Sequence, residues 1–360
     1  MDYQKIADSL SKLDGTIVMY ADGFIDEQWT LVGNRATLTD YTPISKMTGL
    51  ADKINEVGSG GMGIELIKKR NVFGGFTANI GFAAATLGVN TVMAGLFGEG
   101  EIDPVFEPLQ KIAKMTTLGR PSITHALEFD DGKILMTNME EVLAINWDRM
   151  VEVLGIDQIR KMLVDSDIIG VGYWSLMPAF DDILAKICEN LPNDGKKRSF
   201  FFDFADIRKR DEKSLRIVLD LLKSLNDKAP MALSVNEHEG AIIYGLYGET
   251  FDDVGRPVAE KAETVRSQVG IEALVIHTPH FAAAATKTGG AAHVVQAYVE
   301  KPVRTAGAGD TFNGGYIAGT LAGLNPTERL YVANAAVTYF LNNGFPPTRD
   351  KLVELLKNMK

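Results

Sequence analysis

The sequence predicts an α/β fold of three layers: a mostly parallel central sheet covered by helices on both faces, with a small β-sheet lid standing off it. Three observations carry that expectation. Apolar runs of strand length alternate with helical patterns along almost the whole chain. The runs are continuous in apolar residues, as in strands buried on both faces. Two other stretches alternate polar with apolar residues instead, as half-exposed strands do.

Taken in order, "TIVMY" (16–20) and "NTVMAGLFG" (90–98) read as buried strands. So do "DIIGVGYW" (167–174), "RSFFFDF" (198–204), "MALSV" (231–235) and "IEALVIHT" (271–278). "AFDDILAKICENL" (179–191) and "SLRIVLDLLKSL" (214–225) place apolar residues at three- and four-residue spacing and read as helices. "DGFIDEQWTLVGNRATLTDYTPI" (22–44) and "SITHALEFDDGKILMTNM" (122–139) are the two alternating stretches, the second folded about an Asp-Asp-Gly turn. No linker divides the chain, so residues 1–360 are expected to form a single domain with lid segments at about 22–50 and 118–140. A homodimer is expected to form through the lid.

Composition excludes several classes. At 360 residues and 46% hydrophobic the chain can bury a large core. A net charge of −10 argues against nucleic acid as a partner, and an acidic chain that binds a polyanion needs a metal, a lysine or backbone amides to do so. The single cysteine, Cys188, leaves no disulfide framework and no thiolate zinc site. No apolar run approaches the roughly 20 residues of a membrane span, and the polar start "MDYQKIADSLSKLDG" has no signal-peptide core. A cytoplasmic protein, bound to no membrane, is the expectation.

Among the motifs, "GSGGMG" (58–63) matches G-x-G-x-x-G, but no strand precedes it and "IELIKKRN" after it alternates like a strand. It reads as a loop and not as a dinucleotide fingerprint. No G-x-x-x-x-G-K-[ST] occurs. The five histidines, His125, His238, His277, His280 and His293, have no ligand partner at metal spacing and read as scattered polar or core residues. "NEHE" (236–239) has two readings, a capping box and a polar cluster at the carboxyl end of a strand. Asp203, ending "SFFFD", is likewise a loop cap or a site residue.

"AGAGDTFNGG" (306–315) is the most informative stretch. Gly307, Ala308 and Gly309 have almost no side chain, so their N–H groups can approach an anion at the start of a helix. Asp310 follows within reach of whatever attacks a phosphorus bound there. A helix N-terminus favours its anionic form, which makes it a weak base, and a loose phosphoryl-transfer transition state needs no stronger one. Gly314, Gly315 and Gly319 each cost about 1 kcal/mol in a helix interior, which predicts close packing of that helix on the sheet.

"RTAGAGDTFNGGYIAG" resembles the C-terminal signature of the ribokinase-like (PfkB) carbohydrate kinases, D-T-T-G-A-G-D-x-F. "GGFTANIGFAAATLGVNTVMAGLFGEG" (74–100) resembles their N-terminal signature. "NEHE" matches their N-x-x-E, "ADGFID" (21–26) their opening strand end, and "VANAAVTYFLNNGF" (332–345) their helix beside the adenine. The matches run in family order from about residue 16 to residue 350.

The resemblance implies that Asp310 is the base and that Gly307, Ala308 and Gly309 form the anion hole. Asn236 and Glu239 would order a magnesium ion, in part through water, and the phosphates. Asp26, Gly75 and Asn79 would hold substrate hydroxyls. Thr278, Gly309 and Asn334 would lie along the nucleotide. The departures are Phe76 in place of a substrate-contacting Asn, Arg304 and Ala306 in a segment where the family often binds a monovalent cation, and Thr278-Pro-His280-Phe-Ala-Ala in place of T-x-G-x-x-G. The monovalent cation is therefore left open. D-x-N-x-R is reduced to Asp203 with Ala205 and a displaced Arg208.

The expected function is transfer of the γ-phosphoryl group of ATP, with Mg2+, to a hydroxyl of a sugar. A nucleoside kinase of the same fold is the alternative, because Phe76 would stack on a base and G-F-T-A-N resembles the nucleoside kinases' G-x-T-x-N. A non-catalytic nucleotide or sugar sensor is the reading from another class, and it would have no need of Asp310.

Overall fold

The computed structural model describes residues 1–359. Among them are fourteen strands: β1 (Thr16–Tyr20), β2 (Phe24–Arg35), β3 (Tyr41–Pro43), β4 (Leu66–Gly74), β5 (Asn90–Gly95), β6 (Lys114–Thr117), β7 (Ser122–Phe129), β8 (Gly132–Thr137), β9 (Ile168–Val171), β10 (Ser199–Asp203), β11 (Met231–Asn236), β12 (Ala273–His277), β13 (Phe281–Thr286) and β14 (Gly290–Val295). Nine form the central sheet, in the order β14-β13-β12-β11-β10-β9-β1-β5-β6. The strands from β6 to β12 in that order are parallel, and β13 and β14 close one edge as an antiparallel hairpin.

The continuous apolar runs have the cause the sequence suggested. Alternate side chains of each central strand enter two different cores. Val18 and Tyr20 of β1 pack in one, with Phe200 and Phe202 of β10. Ile17 and Met19 pack in the other, with Phe201. Both faces are covered, so neither set can be polar.

The alanine strand β13 was not legible as a strand. Ala283 and Ala285 pack in the first core, and Ala282 and Ala284 in the second. Alanine has little intrinsic β preference. Here its small size lets layers approach on both sides of the sheet.

The second sheet has five strands, β3-β2-β7-β8 with β4 on the other edge of β2. β7 and β8 turn at Asp130-Asp131, with Phe129 paired to Gly132. β4 comes from outside both alternating segments. "GSGGMG" lies between the helix Met47–Val57 and β4, the reverse of the order a dinucleotide fingerprint needs.

Four helices matter for the site: α1 (Phe76–Thr86), α2 (Glu237–Leu246), α3 (Ala308–Leu321) and α4 (Pro326–Asn343). The glycines of α3 face other helices, which corrects the expectation that they pack it on the sheet. A Cβ on Gly314 would lie 2.6 Å from Ala83 Cβ of α1, and one on Gly315 would lie 2.8 Å from Ala333 Cα of α4. α3 is thus wedged between α1 and α4, and its start is held over the carboxyl ends of the parallel strands.

Candidate active site

The parallel strands deliver polar residues at their carboxyl ends, where open α/β sheets bind ligands. Asp22 follows β1, Tyr173 follows β9, Asp203 ends β10, Asn236 ends β11 and His277 ends β12. Asp22 is fully buried and accepts from the backbone N–H groups of Phe76 and Thr77 at 2.8 Å each, and from the Thr77 hydroxyl. It caps α1. Gly75 has φ 96°, and a Cβ there would lie 2.7 Å from Asp22 Oδ2, so only glycine admits this cap.

Asp310 sits in the first turn of α3 and is 9% exposed. Its Oδ2 accepts from Asn79 Nδ2 and its Oδ1 from the Tyr173 hydroxyl, each at 3.0 Å. Its pKa is pushed up to about 7, first by burial and then by the charge of Asp203, against the lowering effect of the two hydrogen bonds. The direction is opposite to the one expected of a carboxylate at a helix N-terminus. Loss of water and the charge of Asp203 together outweigh the two hydrogen bonds.

Of the three amides expected to form an anion hole, one is already engaged. Gly307 adopts φ 89°, and the Ala308 N–H is already bonded to the Thr305 carbonyl at 3.0 Å. Among the described residues the N–H groups of Gly307 and Gly309 have no such partner. They are open donors at the start of α3, as is the N–H of Asp310 itself.

Asn236 and Glu239 satisfy both readings of "NEHE". They form a capping box: Asn236 Oδ1 accepts from the His238 and Glu239 N–H groups at 2.9 and 3.0 Å, and Glu239 Oε2 accepts from the Asn236 N–H at 2.9 Å. They also line a cavity of about 360 Å³ with Tyr173, Asp203, Asp206, Arg208 and Asp310. Burial raises the proton affinity of both Asp203 and Glu239, and the charge of Asp203 raises that of Glu239 further. The Asn313 amide holds Asp203 at 2.9 Å, and the Ser234 hydroxyl donates to Asn313 at 2.6 Å.

Such crowding of carboxylates fits a divalent cation. No three His, Cys, Asp or Glu among the described residues are grouped to hold one unaided, so phosphate oxygens and water would complete its shell, as they commonly do for Mg2+. A monovalent cation at the segment before Gly307 does not fit. Arg304 occupies it, with its guanidinium 5.7 Å over the Phe340 ring and Nε buried without a partner.

A second cavity, of about 420 Å³, continues from the first and shares Asn236, His238, His277 and Gly309 with it. Its walls are mostly apolar and include Tyr298, Val299, Pro302, Phe312, Val337 and Leu341. Thr278 lines it, but its hydroxyl is engaged in its own turn, donating to the Phe281 carbonyl at 2.9 Å.

Two residues expected at the site lie elsewhere. Phe76 is fully buried, edge-on to Tyr173 at 5.6 Å between centroids, so its ring faces the core and offers no stacking surface. Asn334 lines a separate groove and donates to the Val295 carbonyl at 3.5 Å. The α4 side chains at the second cavity are Val337 and Leu341. Asp26 stands on β2, its pKa raised by burial against the lowering effects of Thr124 and of the Lys133 and Arg304 charges. Arg304 also feels the charge of Asp310, so Asp26 and Asp310 share one cation. Tyr173 and Asp22 were missed by sequence reading. Their only signal was position just after a buried strand.

Comparison with known proteins places the chain in a family and a fold. A family model described as prokaryotic ketohexokinase matches residues 4–359. A ketohexokinase of Haloferax volcanii is 26% identical over 346 residues, covering 95% of this chain and 91% of the relative. Among solved structures, the ribokinase of Thermotoga maritima superposes with TM-score 0.61 at 17% identity, over 96% of this chain and 100% of that one. A Cryptococcus neoformans ribokinase in complex with ADP superposes with TM-score 0.64 at 15% identity, over 95% and 99%. These two are likenesses of fold.

Proposed function

We propose that this chain, which belongs to the prokaryotic ketohexokinase family and is a carbohydrate kinase, transfers the γ-phosphoryl group of ATP to a hydroxyl of a ketohexose. The observation that carries the reading is Asp310. It is a buried carboxylate with a pKa near 7, beside two open amides, in a cavity continuous with a larger apolar one.

The acceptor hydroxyl gives its proton to Asp310 as its oxygen attacks the γ-phosphorus. The bond from that phosphorus to the β,γ-bridging oxygen breaks, and ADP leaves. Tyr173 and Asn79 orient the base. The Gly307 and Gly309 N–H groups stabilise the charge on the phosphoryl group in flight. Glu239 and Asp203, with Asn236 through water, would hold Mg2+, which neutralises phosphate charge when bound. The small sheet acts as a lid and presents Asp26 to the sugar, with Gly75 at the root of α1. Leu135 and Met136 on edge strand β8 are more than half exposed. That supports a homodimer paired through the small sheet, which sedimentation velocity tests against a monomer.

Of the two grounds for the nucleoside alternative, stacking on Phe76 loses its support because the ring is buried, and the G-x-T-x-N resemblance remains. The test is a panel of ketohexoses, aldohexoses, ribose and adenosine with ATP and magnesium, repeated with ADP as donor. ADP release with a ketohexose is expected. Turnover of adenosine with no turnover of any sugar would overturn the reading.

A further inference from the structure

His277 reads in the sequence as one of five scattered histidines, and nothing in the mechanism above uses it. Its placement is not that of a core residue. It ends β12, and it belongs to the walls of both cavities, together with Asn236, His238 and Gly309. These four residues mark the junction through which a polyphosphate must pass from the apolar cavity to Asp310.

The imidazole lies against the backbone of the anion hole. A methyl group on Gly309 would sit 3.0 Å from its Cε1. Its other neighbour is the Phe312 ring, 5.1 Å away between centroids and tilted by 37°. Nε2 is enclosed and has no hydrogen-bond partner. A bare lone pair tolerates such an environment better than a bare N–H, because an unmade N–H bond carries the full desolvation cost. On that ground the proton is assigned to Nδ1, the nitrogen that is not enclosed.

We propose that His277 is a phosphate-binding residue whose Nδ1–H hydrogen-bonds the polyphosphate chain of the nucleotide, beside the Gly309 amide. The inference rests on the kinase reading for the identity of the ligand. It explains why an acidic chain without a phosphate-loop lysine leaves an unpaired imidazole at this junction.

His277→Leu removes the donor and keeps an apolar contact with Phe312. His277→Asn keeps an amide donor near the place of Nδ1. The Leu variant should lower kcat/KM for the nucleotide by about 10- to 100-fold, the scale for a lost hydrogen bond to a charged group, and leave the KM for sugar unchanged. The Asn variant should recover most of that loss. A change under about threefold in the Leu variant, or equal losses in the two variants while both remain folded, overturns the proposal, because a packing role alone accounts for either. A measurement on the unaltered protein stands apart from variant folding and from sugar turnover: with 15N-labelled histidine, inorganic tripolyphosphate should shift the His277 Nδ1 resonance. Binding of tripolyphosphate without that shift overturns the proposal. The shift in a protein that phosphorylates no sugar upholds it while sinking the assigned function.

Discussion

The Tyr173 hydroxyl donates to Asp310 Oδ1 at 3.0 Å, joining the end of β9 to the start of α3 across 137 residues of sequence. With the Asn79 amide on the other oxygen, it fixes the carboxylate that burial has raised to a pKa near 7. The proton affinity and the orientation of this carboxylate thus come from different parts of the chain.

Replacing Asp310 with Asn keeps the shape and removes proton acceptance. kcat should fall by about 10²–10⁴-fold, with nucleotide affinity nearly unchanged. The same substitution should stabilise the fold at high pH. A carboxyl whose folded pKa lies above its unfolded value of 3.8 favours folding below that value, and the benefit is lost as pH rises toward 7. Urea unfolding should therefore show Asp310→Asn more stable than the parent at pH 8, by about 1–4 kcal/mol, with the difference gone near pH 4. Equal stability at pH 8 would contradict the buried-charge account.

The pH dependence of kcat/KM for the sugar should rise through about 7, because the base must be ionised. Two substitutions should move that limb in opposite directions. Tyr173→Phe removes a hydrogen bond that favours the carboxylate, so the limb moves to higher pH. Asp203→Asn removes a negative charge that disfavours it, so the limb moves to lower pH. Parallel shifts in one direction would refute this electrostatic picture.

Glu239→Gln keeps a carbonyl to accept from the Asn236 N–H, so the capping box survives while the charge is lost. The magnesium concentration for half-maximal rate should rise severalfold, with little loss of thermal stability. An unchanged magnesium dependence would leave Glu239 as a helix cap alone.

Phe76→Ala opens a cavity where a fully buried ring meets Tyr173. A stability loss of about 3–5 kcal/mol is expected, with kcat reduced through Tyr173 and the order of preference among sugars preserved. A changed order of preference would return Phe76 to the substrate pocket.

Gly315→Ala places a methyl 2.8 Å from the Ala333 backbone, which cannot yield as a flexible side chain could. A loss of about 1–3 kcal/mol from overpacking is expected, read in urea unfolding. A gain, as helix propensity alone predicts, would mean α3 and α4 can move apart.

Much of this was legible in the sequence because it depends on local pattern. Continuous apolar runs marked the parallel strands, since both faces of the sheet need apolar side chains along a single stretch. Three small residues before Asp310 marked the exposed backbone at the start of α3, since an amide stays open only where no side chain covers it. The capping box of Asn236 and Glu239 lies within four residues and needs no tertiary information.

What the tertiary structure decided lies between distant segments. β13 is a strand because two cores need thin side chains between them, against the weak β preference of alanine. Phe76 points into the core because Asp22 caps the backbone of α1 and turns the ring toward β9. Asp310 has a pKa near 7 instead of a lowered one because α3 is wedged between α1 and α4, out of water and near Asp203. Motif spacing records which backbone and side-chain groups stand next to each other along the chain. Burial and charge proximity depend on what packs around them, and no local pattern encodes that.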